Sequence, residues 1–211
     1  MNTINNLKLF TFDIETTGVH NQIDQIIQFA YQKENGNELV DESVIYYQIE
    51  GKLPEDIKEL TKIDDETLNK EGVNYYQGLK TIVRLLSQAI EEGYYLGGHN
   101  NLGFDFPFIL NQADRFINDD PYYLKLIDYW KNEQIKWKDG YLDAKKLANA
   151  KPFQKGFKNF EVATSYGISF DSNQLHDARV DVALSAQNIK MQHQYMNSFD
   201  NKGKKAKTIT K

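Results

Sequence analysis

Two carboxylates, Asp13 and Glu15, stand one residue apart at the end of the apolar stretch LKLFTFDIE. If this stretch is a strand, the two side chains share a face, because alternate residues of a strand point the same way. Like charges at the end of a buried strand repel each other, and burial increases that cost. A cation between them would relieve the repulsion. An isolated pair of this kind is more often a strand end in solvent, so a metal site requires further acids at the same place.

Two later motifs supply further acids. GGHNNLGFDFPFI places Asp105 at the expected start of a helix that follows a buried strand, and LHDARVD places His176 before the last helix and Asp181 within it. Each has an ordinary alternative: Asp105 as a helix N-cap, Asp181 as a solvated helix acid, His176 as a surface or packed histidine. Four carboxylates and a histidine with one plausible meeting place indicate a metal-dependent site.

The elements that would position these residues begin with strands. The segments 7–15, 25–33 and 39–50 are rich in apolar and β-branched residues, and Asn-Gly lies between the second and the third. This pattern predicts a three-strand antiparallel meander. A buried strand in YYLGGHN is expected later in the chain.

Helical signals fill most of the rest. Pro54 opens a short helix, Asp64 or Asp65 can cap a second, and YYQGLKTIVRLLSQAIEEG has helical spacing up to a terminating glycine. We expect a helix over FDFPFILNQADRF, with proline in its first turn. We also expect an inserted helical region over YYLKLIDYWKNEQIKW. A strand or a helix start at GYLDAKKLA, a helix around FKNFEVATSYG and a last helix from Asp177 to about Tyr195 complete the expected α/β organisation.

Whole-chain properties favour one α/β domain of 211 residues without cysteine, which excludes disulfides, thiolate zinc sites and cysteine nucleophiles. Neither a signal sequence nor a membrane span is evident, so we expect a cytoplasmic protein without membrane association. The net charge of −5 argues mildly against a nucleic-acid coat protein but not against an enzyme with a local basic path. Residues 1–199 are expected to form the domain, and 200–211 a basic tail, disordered and either plainly solvated or in contact with nucleic acid.

The motifs FDIETTG, HNNLGFD and HDARVD, in this order, resemble those of the DEDDh exonucleases, the DnaQ-like branch of the ribonuclease H-like superfamily. The histidine five residues before the last aspartate is typical of this branch. The resemblance runs from about Leu7 to Gln194. The second motif has one residue more than in many members, and its form, with DPYYLKLIDYW and NFEVATSYGI, is most similar to the exonuclease domain of bacterial exonuclease I.

The resemblance implies a ribonuclease H-like mixed sheet and two Mg²⁺ or Mn²⁺ ions bound by carboxylates, which suit these hard cations. Asp13 would bridge both ions, Glu15 and Asp181 would complete one, and Asp105 would hold the other. His176 would take a proton from the attacking water, since histidine can do so near neutral pH.

Other residues are expected to contact the substrate or to support the site. Thr16, Thr17 and Gly18 follow the first motif, where the family's backbone meets the terminal nucleotide, and glycine permits close approach. His99 and Asn100 are interpreted as supports of the strand-to-helix turn and outer shell of the site, and Phe104 as core or a wall against the terminal base. The aromatic side chains of the inserted region could stack on bases, although core packing is expected for at least half of them; they are Tyr122, Tyr123, Trp130 and Trp137.

The sequence therefore predicts a metal-dependent 3′–5′ exonuclease that releases nucleoside monophosphates from a free 3′-hydroxyl, with single-stranded DNA favoured and RNA as an alternative. An exoribonuclease would share every motif, because the 2′-hydroxyl is judged by pocket geometry. A non-catalytic end-binding scaffold would normally lack part of the acidic set. A polymerase or an end-processing complex is the expected kind of protein partner.

Overall fold

One mixed sheet of five strands organises the protein. The computed structural model describes the backbone of residues 6–148, 156–172 and 175–208 and the side chains of these residues up to 198. The strands are β1 (Lys8–Thr16), β2 (Ile26–Asn35), β3 (Glu38–Tyr46), β4 (Tyr95–Gly98) and β5 (Trp137–Asp139). Their order is β3-β2-β1-β4-β5, with β1 to β3 antiparallel and β4 and β5 parallel to β1. The predicted three-strand meander is confirmed.

Helices cover both faces of this sheet. The described helices are α1 (Glu55–Thr61), α2 (Asp65–Glu71), α3 (Tyr75–Glu91), α4 (Asp105–Ile117), α5 (Pro121–Lys131), α6 (Gly140–Leu147), α7 (Asn159–Tyr166) and α8 (Ala178–Thr208). Strand β1 is buried on both sides, because Phe10 and Phe12 pack into the core with α3 and α4 while Leu9 packs against Ile189 of α8. The acids of β1 continue the face of Leu9, so α8 is the helix beside them.

The short helices begin where the sequence predicts. Pro54 precedes α1, and the carboxylate of Asp64 caps α2 by accepting a hydrogen bond from the backbone N–H of Thr67 at 2.7 Å. The sequence predicts either a strand or a helix start at GYLDAKKLA, and this segment forms helix α6. The inserted helical region ends earlier than expected, at Lys131, and Trp137 lies in β5, where backbone pairing with β4 replaces helical hydrogen bonds.

The last helix is longer than the sequence predicts. Helix α8 continues to Thr208, beyond its expected end near Tyr195. The expected disorder of the tail stays a prediction. No proline interrupts 178–208, and the segment after residue 200 is rich in lysine, which favours helix. Residues 209–211 of the tail lie outside the described residues. The boundary at residue 199 stays a prediction.

None of the helices in the described part of the chain is both long and apolar enough to cross a membrane. The cytoplasmic location stays a prediction.

Candidate active site

The carboxyl end of β1 and the start of α4 bring the first three acids together. Asp13 and Glu15 occupy the end of β1, and Asp105 is the first residue of α4. Asp105 is almost fully buried. Its Oδ1 atom accepts a hydrogen bond from the backbone N–H of Ile14 at 3.0 Å. This bond ties the second motif directly to the backbone between the two acids of the first.

The loop before α4 has a tightly specified path. Asn100 has a left-handed backbone with φ of 68°, and the carboxamide of Asn101 donates to the carbonyl of Phe12 at 2.8 Å. Buried Asp139 accepts from the backbone N–H groups of Asn100 and Leu102, both at 3.2 Å, while also capping α6. Sequence reasoning missed Asp139, although an aspartate directly before a helix is a common N-cap.

The third motif is anchored at the start of α8. His176 has a left-handed backbone with φ of 68°, and its N–H donates to Oδ2 of Asp181 at 2.9 Å. The N–H of Ala178 donates to the buried side chain of Gln28 on β2 at 3.1 Å, which fixes the first turn of α8 against the sheet. His176 itself remains exposed, so its imidazole is open to solvent.

The four acids and the histidine face one cleft of about 290 Å³. Ligand-type atoms of Glu15, His176 and Asp181 all lie within 4.8 Å of one another. The cleft is lined by Asp13, Ile14, Glu15, His99, Asn100, Phe104, Asp105, Asn159, His176 and Asp181. Larger cavities of about 420 and 520 Å³ lie beside α8 and contain none of the four acids. The structure thus brings together all five residues to which the sequence assigns chemistry.

Burial and mutual repulsion disfavour the ionised forms of these acids. Burial, followed by the charges of Asp105 and Glu15, raises the pKa of Asp13 well above its usual value. The pKa of Glu15 is raised to about 8, first by burial and then by the negative charge of Asp181. Burial raises the pKa of Asp105 to about 7. The pKa of Asp181 is also raised by burial, against the hydrogen bond from His176.

No lysine or arginine is among the residues described as lining this cleft. Four acids at one place without a side-chain cation form a donor set of oxygens that divalent cations prefer. The arrangement therefore fits the metal ions implied by the resemblance, and the four acids are the residues that would hold them.

Asn159 is a cleft residue that sequence reasoning missed. It is the first residue of α7, and its carboxamide donates to the backbone oxygen of Asp181 at 3.1 Å and to Oδ1 of the same residue at 3.4 Å. Its only signal in the sequence is a polar residue at the start of a helix, which gives no indication of its neighbour.

The six expected substrate-contacting residues divide into two groups. His99, Asn100 and Phe104 line the cleft. Thr16, Thr17 and Gly18 lie outside that lining and organise the β1–β2 connection instead. The hydroxyl of Thr16 donates to the carbonyl of Gly18 at 2.5 Å, and that of Thr17 donates to Asp24 at 3.2 Å.

The ring of His99 is half-buried beside the cleft. Burial lowers its pKa, against a hydrogen bond with the backbone of Phe157, and its ring meets the edge of Tyr141 at 5.9 Å between centroids. These contacts join the ring to α6 and to the chain between α6 and α7. The expected role of His99 in supporting the strand-to-helix turn stays a prediction.

The aromatic side chains of the inserted region pack mainly inward. Trp130 and Trp137 contact Phe106 with ring centroids 5.1 and 4.9 Å apart, and Tyr123 is buried. Tyr122 and Trp130 remain 37% and 41% exposed, which leaves a partly open surface on these two. Core packing therefore accounts for at least half of the set, as expected.

A family model described as an exonuclease, that of the RNase T type, matches residues 10–188. The chain belongs to this exonuclease family. The match extends from β1 into α8 and includes all three acidic motifs, so the resemblance to the DnaQ-like exonucleases and the prediction of an exonuclease are confirmed.

Sequence relatives of the exonuclease include much longer proteins. This chain is 36% identical over 117 residues to the PolC-type DNA polymerase III of Mycoplasma genitalium. The matched segment covers 56% of this chain and 8% of that protein. With the PolC-type polymerase of Staphylococcus haemolyticus it shares 44% identity over 57 residues, or 27% of this chain and 4% of the other. The matched segments thus span less than a tenth of the length of these relatives.

Solved structures show the same fold. Escherichia coli exonuclease I in complex with a dT13 oligonucleotide matches with a TM-score of 0.69 and 17% identity over 92% of this chain and 43% of that one. Exonuclease I from Methylocaldum szegediense matches with a TM-score of 0.65 and 16% identity, and the match covers 87% of this chain and 40% of that one. These matches confirm the predicted ribonuclease H-like sheet flanked by helices.

Proposed function

We propose that the protein is a 3′–5′ exonuclease that uses two Mg²⁺ or Mn²⁺ ions to hydrolyse single-stranded DNA from a free 3′-hydroxyl, releasing nucleoside monophosphates. The observation that supports this most strongly is the convergence of Asp13, Glu15, Asp105 and Asp181 beside exposed His176 in one cleft with no lysine or arginine in its described lining. A scaffold that only binds ends would need no such set, because each buried acid costs stability.

The acids would hold the ions, with Asp13 between the other three. Its place in the cluster is supported by its pKa, which burial raises and to which Asp105, Glu15 and Asp181 all contribute. When bound, divalent cations stabilise negative charge on the attacking and leaving oxygens of a phosphoryl displacement. The bond between Ile14 N–H and Asp105 occupies one oxygen of that carboxylate and leaves the other available.

His176 is proposed as the general base. Its side chain is exposed at the rim of the cleft and carries a ring nitrogen within 4.8 Å of carboxylate oxygens of Glu15 and Asp181. It would take a proton from the attacking water and pass it to solvent, for which an exposed position is suited. The hydrogen bond from its own N–H to Asp181 holds the backbone of this residue beside the cleft.

The 3′ end of the strand would enter beside Phe104, with His99 and Asn100 shaping the wall of the cleft. Phe104 offers an aromatic surface to the terminal base, and stacking of this kind tolerates any base. Thr16, Thr17 and Gly18 would contact the terminal nucleotide through the backbone that their own hydrogen bonds organise. Similarity to PolC-type polymerases supports a polymerase as the kind of partner to test first.

The decisive experiment follows labelled DNA and RNA, single- and double-stranded, over time on gels with Mg²⁺, Mn²⁺ or EDTA. We expect single-stranded DNA to be shortened fastest, one nucleotide at a time from the 3′ end, and only with metal. Duplex ends should be slower because terminal pairs must separate first, and a 3′-phosphate should block because its charge meets Asp13 and Glu15.

Two results would contradict this proposal in different ways. Faster loss of RNA than of DNA at equal length would make the enzyme an exoribonuclease with the same catalytic residues. Cleavage within a circular single strand would exclude exonucleolytic action as the proposed reaction.

A further inference from the structure

The carboxylate of Asp181 is held from two sides by groups that are not acids. The backbone N–H of His176 donates to its Oδ2 at 2.9 Å. On the other side, the carboxamide of Asn159 donates to Oδ1 at 3.4 Å and to the backbone oxygen at 3.1 Å. Both oxygens of this carboxylate are therefore oriented before any ion or substrate enters.

The orientation of the Asn159 amide is set by a second asparagine. The fully buried Asn188 donates through Nδ2 to both the backbone oxygen and Oδ1 of Asn159, each at 2.9 Å. Asn188 lies seven residues after Asp181 on α8, which places the two on the same face of the helix. Because Oδ1 of Asn159 already accepts from Asn188, only its NH₂ group can face Asp181.

Reversing the Asn159 amide would be doubly unfavourable. Its oxygen would then face the carboxylate of Asp181, and its NH₂ group would face the NH₂ group of Asn188. The buried amide of Asn188 therefore selects the donor as the group that Asn159 presents to the cleft, since leaving buried polar groups unpaired is unfavourable.

We propose that Asn159, fixed by Asn188, is a positioning residue that holds the carboxylate of Asp181 in the orientation needed to bind metal. The inference rests on the proposed function. Asp181 needs such support because Glu15 lies close enough to repel it, with oxygens of the two within 4.8 Å. Partners of this kind orient metal-binding side chains, and their loss typically costs 10–100-fold in metal affinity or activity.

The first test replaces Asn159 with leucine, which has a similar size but no donor. We expect Mn²⁺ affinity, measured by calorimetry, and kcat to fall together by roughly 10–100-fold, with KM for single-stranded DNA changed by less than about twofold. A residue with only a structural role would lower the melting temperature and leave Mn²⁺ affinity unchanged. Wild-type Mn²⁺ affinity and kcat in Asn159→Leu would overturn the inference.

The matched control is Asn132→Leu. Asn132 also donates through its carboxamide to a carboxylate, that of Asp128 at 2.9 Å, but on the exposed end of α5. Its loss should leave Mn²⁺ affinity and kcat at wild-type values. An equal loss in both variants would show that the effect is not specific to Asp181, and would overturn the inference.

A second measurement uses the wild-type protein and needs no activity. The side-chain NH₂ signals of Asn159, assigned by their absence from the leucine variant, should shift during a Mg²⁺ titration with the same midpoint as ion binding. Signals that do not move while the ion binds would overturn the role of Asn159 alone. A wild-type protein that neither binds the ion nor hydrolyses DNA would instead overturn the proposed function on which it rests.

Discussion

Glu15→Gln should stabilise the metal-free protein while abolishing its activity. In the unfolded chain this carboxyl ionises above its ordinary pKa of 4.5, whereas in the fold burial and the nearby Asp181 raise the pKa to about 8. Between these values the folded state binds a proton that the unfolded state has released. The contribution of Glu15 to the free energy of unfolding therefore falls as pH rises from about 4.5 to about 8 and is constant above and below this interval.

The size of the effect follows from the same two pKa values. At pH 7 the carboxyl must stay protonated in the fold at a cost of about 3 kcal/mol, because each pH unit above 4.5 contributes about 1.36 kcal/mol. Glutamine avoids this cost. For a chain of this length, about 3 kcal/mol corresponds to a melting temperature higher by about 6–12 °C. At pH 5 the gain should be below about 1 kcal/mol by the same relation.

Thermal unfolding in EDTA at several pH values, for wild type and Glu15→Gln, measures this directly. Glu38→Gln, on the exposed start of β3, is the control for the same substitution outside the cleft. Adding Mg²⁺ should reverse the order, because an ion that binds only the folded wild type stabilises it. If Glu15→Gln in EDTA melts at or below the wild-type temperature at pH 7, the electrostatic account of the cleft is wrong.

Four further outcomes are expected. Asp13→Asn and Asp181→Asn should each retain less than about a tenth of the wild-type rate at saturating Mg²⁺ while remaining folded by circular dichroism, because each loses a charge that holds metal but little volume. His176→Ala should slow single-turnover cleavage by roughly 10²–10⁴-fold with Mn²⁺ affinity preserved in calorimetry; a loss of affinity would make it a ligand. Mn²⁺ affinity should rise between pH 6 and 8 with proton release, seen in buffers of different ionisation enthalpy, because ions compete with protons on the acids. Removing 201–211 should flatten the salt dependence of binding to long strands, measured by anisotropy, and leave dinucleotide hydrolysis unchanged; an unaltered slope would make the tail a plain solvated terminus.

Strands, turns and helix starts that depend on neighbouring residues could be predicted from the sequence. The alternation in LKLFTFDIE, the Asn-Gly turn and the cap at Asp64 each depend on neighbours in sequence, and each element appears where it was expected. Trp137 was misplaced because its strand is only three residues long and exists through pairing with Leu96, a partner that no local pattern reveals.

The residues of the site fall into the same two groups, those with a local sequence signal and those without one. Asp13, Glu15, Asp105, His176 and Asp181 could be found because their types and spacing are unusual in sequence. Asn159 could not, and Asp139 shows only the pattern of an ordinary N-cap, since the importance of both comes from the residues that they contact far along the chain. Asn188 carries no sequence signal of the two hydrogen bonds that it donates.

Helix α8 combines two tasks within three turns, and this limits how its length can change. Asp181 reaches the cleft from its first turns, while Ala186 and Ile189 pack against the sheet and Asn188 bonds to α7. A single inserted or deleted residue between them would rotate one part relative to the other by about 100°, given 3.6 residues per turn. Either the acid would leave the cleft or the apolar face would leave the sheet. This stretch can therefore diverge by substitution but not by insertion or deletion, and length variation is confined to the chain on either side of it.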